Sequence, residues 1–212
     1  MKEGVVLSPT TPSTSNQNRP KSLDDHDDLD DAQLVARSLA RDHEAFGRLI
    51  DRHAPSIVNL AYRMVGNRTE AEDLAQETFL AAFKALATFR SDSKFSTWLY
   101  RIASNKCMDW LRVKRPGQGQ YDVDADEHLD FHLAEDRTPE DLLSQQQVAQ
   151  ELDLAIQRLP PLYREAFILK HVEGLSYEEM EDILGVRGDT LKMRVYKGRV
   201  QLSRELTALR VE

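Results

Sequence analysis

The segment SYEEMEDILGVRGDTLKMRVYK, residues 176–197, contains two helical patterns separated by a short glycine turn. Ser176 and Glu179 have the spacing of a capping box, which predicts that a helix begins there. Asp189 or Thr190 is predicted to cap a second helix, because short polar side chains accept hydrogen bonds from the first backbone N–H groups of a helix. Helix, tight turn and helix is the arrangement of a helix-turn-helix, whose second helix enters the major groove of duplex DNA.

The predicted second helix has one apolar face and one basic face. Leu191, Val195 and Leu202 recur at helical spacing and are predicted to pack inward. Lysines on the opposite face can bind phosphates, which adds affinity, or guanine edges, which adds sequence preference. The candidate duplex contacts are Arg187, Thr190, Lys192, Met193, Tyr196 and Lys197. The alternative is an ordinary solvated helix face, which would leave the agreement of turn, caps and basic face unexplained.

Charge is distributed unevenly along the chain, whose net charge is −8. Residues 84–115 contain eight Lys or Arg against two Asp, and residues 187–204 contain six Lys or Arg against one Asp. Between these blocks, residues 116–155 contain eleven Asp or Glu against one Arg. The net charge disfavours a free-standing DNA-binding protein, but two basic blocks separated by an acidic one can contact nucleic acid at two places.

Helical periodicity extends over most of the chain, and β-branched runs are rare. We therefore predict an all-α protein of two small helical domains joined by an acidic linker, the C-terminal one a helix-turn-helix domain. Residues 1–28 are predicted to be a disordered tail and residues 29–115 the first domain. Residues 116–140 are predicted to be a flexible acidic linker, and residues 141–212 the second domain.

Local signals subdivide the first domain. Pro55 is predicted to interrupt its helical pattern, because proline removes a backbone donor. Gly66 is predicted to end the helix that follows. Thr69 and Glu72 have the spacing of a capping box and predict where the next helix begins. A further helix is predicted over residues 95–113.

The predicted helix over residues 95–113 carries a basic stripe opposite its apolar stripe. Arg101 and Arg112 on this stripe can hold a phosphate backbone, and the amide of Asn105 between them can bond to a base edge. Tyr100 is predicted to face away from the apolar stripe and to stack on bases, whereas the two tryptophans are predicted to pack in the core. The candidate nucleic-acid contacts are Tyr100, Arg101, Ser104, Asn105, Met108, Arg112, Lys114 and Arg115.

Several stretches carry a family resemblance. DLAQETF at residues 73–79, FRSDSKFSTWLYRIA at residues 89–103, and Asn105 strongly resemble region 2 of extracytoplasmic-function (ECF) sigma factors of bacterial RNA polymerase. LPPLYREA at residues 159–166, followed by GLSYEE at residues 174–179 and the helix-turn-helix, resembles their region 4. The two halves match in order and separation, which is more specific than either motif alone.

The resemblance implies a subunit that binds core RNA polymerase and directs promoter-specific transcription initiation. Region 2 of the family binds the β′ clamp helices, opens the promoter and captures single-stranded minus-ten bases, and Asn105 matches the position beside a captured, flipped base. Region 4 binds the β flap and the duplex minus-thirty-five element. The residues that match its base readers are Lys192, Met193 and Lys197. The residues that match the core-binding segment are Asp73, Gln76, Glu77 and Leu80, which share an outward helix face.

The resemblance also implies how the protein is regulated and where in the cell it acts. Family members are often inhibited by an anti-sigma factor, so we expect an anti-sigma partner, a stress or envelope response and a cytoplasmic location. No apolar stretch approaches the length of a membrane helix, and direct membrane insertion is not expected. The family commonly has Gly, Ser and Arg where this chain has Asp189, Met193 and Lys197, which leaves the minus-thirty-five sequence open.

Two other classes of protein fit parts of the sequence. A free-standing helix-turn-helix regulator would bind duplex promoter DNA without polymerase, but it leaves the first basic helix and an outward Leu80 unexplained. A metal-dependent nuclease would need a ligand set, and neither candidate group combines histidine with enough neighbouring ligands. Those groups are Glu70, Asp73 and Glu77, and the pair His128 and His132. We therefore predict no enzymatic activity, no metal and no cofactor.

Overall fold

The computed structural model describes residues 29–90, 92–114 and 145–209, and every regular element within them is a helix. The first helical unit consists of α1 (Asp31–Leu39), α2 (His43–Val65), α3 (Arg68–Ala85) and α4 (Phe95–Lys114), with a 3-10 turn at Leu86–Thr88. The second helical unit consists of α5 (Gln145–Arg158), α6 (Pro161–Phe167), α7 (Tyr177–Leu184) and α8 (Gly188–Leu209). The predicted all-α class is confirmed, and the predicted tail (1–28) and linker (116–140) lie outside the described residues.

The turn between α2 and α3 is built from a glycine and an asparagine. Gly66 ends α2 as predicted, with a φ of 79° that a residue with a Cβ adopts only with strain. Asn67 follows in an extended conformation, and its side chain accepts a hydrogen bond of 3.1 Å from the backbone N–H of Glu70. The predicted capping box of Thr69 and Glu72 is therefore wrong, because Thr69 already lies in the first turn of α3.

Helix α2 continues through Pro55, so the predicted interruption is wrong. A proline inside a helix removes one backbone hydrogen bond and disfavours the helix locally. Here the proline is exposed, whereas Leu49 on one side of it and Ile57 and Leu60 on the other are buried. The continuous burial of this apolar face offsets the local loss at the proline.

Helices α7 and α8 form the predicted helix-turn-helix. The Ser176 hydroxyl accepts a hydrogen bond of 3.1 Å from the backbone N–H of Glu179, whose carboxylate accepts one of 2.9 Å from the backbone N–H of Ser176. The predicted capping box at the start of α7 is thus confirmed. Gly185 ends α7 in the left-handed region, with a φ of 64°.

The start of α8 differs from the prediction that Asp189 or Thr190 caps it. The helix begins at Gly188, so both of those residues lie inside its first turn. The carboxylate of Glu181, which belongs to α7, accepts a hydrogen bond from the backbone N–H of Gly188. A side chain from the neighbouring helix therefore takes the role that local sequence assigned to Asp189 or Thr190.

The second unit is held together by the inner faces of its helices. Leu191, Val195 and Leu202 of α8 are buried, as predicted. Helix α6 packs closely on α8 at Gly198, where a Cβ would lie 3.2 Å from the carbonyl oxygen of Tyr163. Glycine at this position permits that close approach of the two helices.

The two units pack against each other along a surface that we call the junction. It is formed by α2 and α4 of the first unit and by α5, α6 and α7 of the second. Its polar contacts join Arg164 to Met64, Arg63 to Asp153, Lys94 to Glu179 and Tyr100 to Glu173.

Arg164 of α6 is a deeply buried polar residue of the junction, with 1% of its surface exposed. Its guanidinium donates to the carbonyl oxygens of Gln157 and Leu159 at the end of α5, the latter at 2.8 Å. It also donates to the carbonyl oxygen of Met64 in the last turn of α2. The final carbonyls of a helix have no partners within the helix and carry the negative end of its dipole. One buried cation therefore stabilises the ends of two helices in different units.

Replacing Arg164 with lysine is expected to lower the free energy of unfolding by about 1–3 kcal/mol, because an ammonium cannot donate to three carbonyls in the fork geometry of a guanidinium. The matched control is Arg158→Lys, since Arg158 forms an exposed pair with Glu205 and should change stability by less than about 0.5 kcal/mol. Urea unfolding monitored by circular dichroism measures both. Equal effects of the two substitutions would contradict the capping role of Arg164.

Candidate nucleic-acid and polymerase interfaces

Helix α4 presents an exposed polar face formed by several of the predicted minus-ten residues. Arg101, Asn105 and Arg112 are exposed on this face. Arg112 forms a 2.6 Å ion pair with Asp109, in which both side chains are largely in solvent. Such a pair is weak and leaves the guanidinium able to exchange its partner for a phosphate. Among the remaining candidates, Met108 is half-buried and Lys114 is exposed, while Arg115 lies outside the described residues.

Tyr100 and Ser104 do not lie on this exposed face, and the prediction that Tyr100 faces away from the core is wrong. Tyr100 is 7% exposed and Ser104 is 1% exposed. The Tyr100 hydroxyl donates a short hydrogen bond to the carboxylate of Glu173 in the second unit. Burial raises the pKa of the Tyr100 phenol, and the adjacent carboxylate raises it further. Helical periodicity predicts one buried stripe on α4. Contact with the second unit adds a second buried stripe, which includes Tyr100 and Ser104.

The tryptophans of α4 have structural partners, although both are only partly buried. The Trp98 ring lies 5.3 Å from that of Phe89 and 5.7 Å from that of Phe95, measured between centroids. The indole N–H of Trp110 donates a 2.7 Å hydrogen bond to the carboxylate of Glu70. These contacts agree with the prediction that both tryptophans favour packing over base stacking.

A polar cleft of about 480 Å³ opens beside the start of α4. Arg90 and Arg101 of the first unit line it together with Trp98, and Asp182 of α7 lines it from the second unit. Helical spacing predicts a nucleic-acid contact for Arg101 but not for Arg90. Arg90 belongs to the basic block, but it precedes α4 in a non-helical segment, so helical spacing could not assign it to the same surface.

The outward face of α8 carries the predicted duplex contacts. Lys192 and Met193 are exposed, and Arg187 is exposed in the turn before the helix. Thr190, Tyr196 and Lys197 are half-buried. The predicted outward orientation of Met193 is confirmed, since 38% of this apolar residue is exposed.

Tyr177, at the start of α7, lies beside this basic face. It was not among the residues predicted from the sequence. The Lys170 ammonium lies 4.7 Å from the centroid of its ring, and the Lys192 ammonium lies 5.9 Å from it. Cation–π attraction therefore gathers two lysines at the edge of the helix-turn-helix. No spacing rule places Lys170 and Lys192 together, because they belong to different elements.

The predicted core-binding residues share an exposed face of α3, where Asp73, Gln76 and Glu77 flank Leu80. Leu80 is 54% exposed. It borders an apolar groove of about 560 Å³ between α2 and α3. The apolar residues that line the groove are Phe46, Ile50, Ala54, Val58, Ala75, Phe79, Leu80 and Phe83. An apolar groove with a polar rim is typical of a protein-binding surface.

Glu165 of α6 is a buried carboxyl group at the junction. Its burial was not predicted from the sequence. It is 4% exposed and lies near Ser104 and Cys107 of α4 and Arg194 of α8. Burial raises the pKa of Glu165 to about 7, although Arg194 and Ser104 act in the opposite direction. Burial, with the Glu165 charge as a smaller cause, raises the pKa of the Cys107 thiol to about 12.

The described residues contain no group of three His, Cys, Asp or Glu side chains placed to hold a metal ion. Of the acidic candidates on α3, Glu70 bonds to Trp110 and Glu77 forms a 2.9 Å ion pair with Lys106. His128 and His132 lie outside the described residues. Among the helices of the described part of the chain, none has the length and apolar character needed to cross a membrane.

Comparison with known proteins agrees with this architecture. A family model of sigma-70 region 2 matches residues 49–116, and a model of sigma-70 region 4 matches residues 143–202. The chain is 37% identical to the ECF RNA polymerase sigma factor SigW of Bacillus subtilis over 79% of its length and 92% of that protein. It is 34% identical to the ECF RNA polymerase sigma-E factor of Escherichia coli over 85% of its length and 96% of that protein.

Two solved structures have a similar fold. The structure of CnrH in complex with the cytosolic domain of CnrY has a TM-score of 0.63 and 26% identity, and covers 84% of this chain and 97% of that chain. The sigma factor RpoE in complex with the anti-sigma factor NepR, from Bartonella quintana, has a TM-score of 0.58 and 26% identity, over 76% and 96% of the two chains. The protein therefore belongs to the ECF sigma factors, which bind core RNA polymerase and direct it to promoters.

Replacing Glu165 with glutamine is expected to flatten the dependence of stability on pH. Because the pKa of Glu165 is about 7 in the folded protein and 4.5 ordinarily, the unfolded chain releases a proton that the folded chain retains between these values. The stability of the wild-type protein should fall, by up to about 3 kcal/mol, as pH rises through this window and then level off.

Urea unfolding of wild type and Glu165→Gln between pH 4.5 and pH 8 tests this expectation. The difference in unfolding free energy between the two proteins should change across the window and level off near pH 8. The exposed Glu151 provides the control, since Glu151→Gln should retain the wild-type profile. If the unfolding free energies of wild type and Glu165→Gln depend on pH in the same way, the buried carboxyl does not retain its proton in this pH range.

Proposed function

We propose that the chain performs its sigma function through three surfaces: the exposed face of α4, the outward face of α8 and the groove between α2 and α3. Residues 29–115 act as the region 2 domain and residues 141–212 as the region 4 helix-turn-helix domain. Residues 116–140 connect the two domains, and residues 1–28 precede the first of them. The observation that carries the proposal is the exposure of Asn105 between two exposed arginines on α4.

The exposed face of α4 has the chemistry to hold a single strand of the minus-ten element. Arg101 and Arg112 lie on either side of Asn105 along the helix and can bind phosphates on either side of a captured base. The Asn105 side chain has an NH2 group that donates and a carbonyl oxygen that accepts, and together they can pair with the edge of a flipped base. A base costs a few kcal/mol to unstack, and a fitted contact of this kind offsets that cost. Met108 and Lys114 extend the same surface.

The outward face of α8 has the chemistry to bind the minus-thirty-five duplex in the major groove. Lys192 and Lys197 can contact guanine edges or phosphates, and Arg187 and Thr190 at the start of the helix can contact the backbone. The exposed thioether of Met193 can pack against the methyl group of a thymine. Tyr196 supports this surface from its half-buried position.

The groove between α2 and α3 has the size and apolar lining to accept part of the β′ clamp helices. Leu80 supplies the exposed apolar contact, while Asp73, Gln76 and Glu77 supply a polar rim that can pair with basic residues of the polymerase. The helix-turn-helix unit is proposed to dock on the β flap. The alternative, a free-standing helix-turn-helix regulator, offers no role for this groove.

The partners of the neighbouring structures suggest how the chain is controlled. CnrH is in complex with the cytosolic domain of CnrY, and RpoE of Bartonella quintana is in complex with the anti-sigma factor NepR. By extension, this chain is inhibited by an anti-sigma factor and released in a stress or envelope response. We further infer that it acts in the cytoplasm as a binding subunit, with no catalytic activity, metal or cofactor of its own.

Replacing Asn105 with alanine is expected to reduce open complexes by about tenfold or more, because a side-chain contact to a base edge contributes about 1–3 kcal/mol. The assay combines purified protein, sigma-free core polymerase and a pool of genomic promoter fragments, and measures permanganate reactivity and run-off transcription. Polymerase binding should be unchanged. Lys192→Ala with Lys197→Ala should instead weaken promoter recruitment. A wild-type protein that binds duplex DNA alone and leaves transcription unaltered would favour the free-standing regulator.

Replacing Leu80 with glutamate is expected to weaken binding to core polymerase by at least about tenfold, because it places a charge on the apolar surface of the groove. Leu154→Glu is the matched control, since Leu154 is equally exposed, at 56%, on α5 and away from the groove. Fluorescence anisotropy of the labelled protein with core polymerase measures both affinities. Equal affinities for the two variants would remove the groove from the polymerase interface.

A further inference from the structure

Asp189 is an acidic side chain at the start of the basic face of α8. Residues 187–204 contain six Lys or Arg, and Asp189 is the one acidic residue among them. Its side chain is 83% exposed in the first turn of the helix. A carboxylate in this place repels DNA phosphates and therefore weakens binding that is independent of sequence. General affinity for DNA does not account for this residue.

Capping of α8 does not account for Asp189 either. The carboxylate of Glu181 accepts the hydrogen bond from the backbone N–H of Gly188, at the start of the helix. That bond places a negative charge at the helix N-terminus, where the helix dipole favours one. Because Glu181 supplies this charge, α8 does not depend on Asp189 for its cap, and the Asp189 carboxylate remains exposed.

Asp189 and Lys192 lie side by side on the surface of α8. They are three residues apart in sequence, so they share one face of the helix. The Lys192 ammonium lies 3.6 Å from the Asp189 carboxylate, and the two side chains are 55% and 83% exposed. An ordinary N–H···O bond spans about 2.9 Å, so this pair is weak and both groups can exchange their partners. The surface thus offers a hydrogen-bond acceptor next to a donor.

A C·G base pair presents the complementary pattern in the major groove. Cytosine offers its N4 amino group as a donor, and guanine offers O6 and N7 as acceptors. Cytosine N4 and guanine O6 are joined by a hydrogen bond of the base pair, so they lie about 2.9 Å apart, close to the spacing of the two side-chain groups. Guanine or thymine in place of cytosine presents acceptors, which a carboxylate repels. Adenine has the acceptor N7 beside its amino group.

We propose that Asp189 and Lys192 together recognise one C·G base pair of the minus-thirty-five element. The Asp189 carboxylate accepts a hydrogen bond from cytosine N4, and the Lys192 ammonium donates to guanine O6 or N7. The first residues of a recognition helix are those that approach base edges in helix-turn-helix proteins. Asp189 adds specificity by repelling the wrong bases as well as by binding the right one.

The inference rests on the proposed contact between α8 and the minus-thirty-five duplex. It adds which base pair the first turns of the helix select, and it assigns a specificity-determining role to Asp189, which stands where the family commonly has glycine. That substitution changes a residue without a side chain into an acceptor on the surface that faces the major groove.

Selection from a randomised promoter tests the proposal with the complete holoenzyme. The full chain and sigma-free core polymerase are mixed with a promoter from the genomic pool in which the minus-thirty-five base pairs are randomised. Sequencing of the fragments in heparin-resistant open complexes gives the preference at each base pair. The wild-type protein should select C·G over the other pairs by about tenfold at one position, as a good contact to a base edge provides.

Asp189→Gly should abolish this preference at that position and leave the preferences at the other positions in place. Selection of fragments with other base pairs there should rise, because the repelling carboxylate is gone. Asp189→Asn should instead move the preference from cytosine to adenine, since an asparagine amide pairs with adenine N6 and N7. Lys192→Ala should reduce selectivity at the same base pair, whereas Lys197→Ala should affect a different one.

Glu151→Gln controls for the loss of a negative charge, since Glu151 is an exposed carboxylate on α5. This variant should keep the wild-type preference at every position. If Asp189→Gly weakens selection equally at all positions, the residue only stabilises the helix and the proposal fails. An unchanged profile for Asp189→Gly, or wild-type selection without C·G at any position, also overturns it.

The same experiment judges the proposed function separately. If Lys192→Ala and Lys197→Ala weaken selection of the minus-thirty-five sequence while the Asp189 variants leave it unchanged, the duplex contact of α8 stands and only the role of Asp189 is refuted. A wild-type holoenzyme that forms open complexes with no preference in this element overturns both the duplex contact and the inference drawn from it.

Discussion

The guanidinium of Arg164 is the constraint on which the arrangement of the two units depends. Three carbonyl oxygens at the ends of α2 and α5 converge on this one buried cation. Helix ends buried without such a partner would lose hydrogen bonds to water without replacement. The ends of α2 and α5 can therefore be buried together because Arg164 lies between them, and this fixes where the helix-turn-helix unit meets the first unit.

The free energy of the protein is divided between two kinds of contact. Within each unit, apolar side chains such as Leu34, Leu60 and Leu169 are fully buried, and such burial is insensitive to salt. Across the junction, the buried hydrophobic core continues from one unit into the other, and ion pairs and a buried carboxyl group add to it. The association of the units therefore rests on apolar burial, with an added contribution that is sensitive to salt and pH.

Local patterns predicted the elements of the fold well, because the spacing of apolar residues directly reflects which helix face is buried. The all-α class, the helix-turn-helix and the inward positions of Leu191 and Val195 follow from such spacing. The outward positions of Leu80 and Asn105 also agree with the structure. The roles of these residues in binding polymerase and DNA remain predictions, since they depend on partners.

The wrong predictions concern residues whose conformation depends on packing beyond the local sequence pattern. Tyr100 lies outside the predicted apolar stripe of α4, and its hydroxyl bonds to Glu173 of the second unit. Pro55 is tolerated because a long buried face continues on both sides of it. Glu181 takes the capping role that short-range rules assigned to Asp189 or Thr190. Its carboxylate, in the preceding helix, accepts a hydrogen bond from the first residue of α8. The Tyr100 contact joins residues 73 apart in the sequence, whereas Pro55 and Glu181 depend on packing and side-chain bonds nearby that simple rules for single residues leave out.

The bond from Glu181 to the start of α8 has a consequence for how promoter preference can change. This bond restrains the turn between α7 and α8 and so limits the angle between the two helices. The close packing at Gly198 holds α8 against α6. Helix α8, the proposed recognition helix, is therefore held at a fixed angle within its unit. For the proposed duplex contact, a new preference must arise by exchanging side chains such as Met193 on a fixed scaffold. Such a design permits paralogous chains to diverge in stepwise fashion, with the fold unaffected by each step.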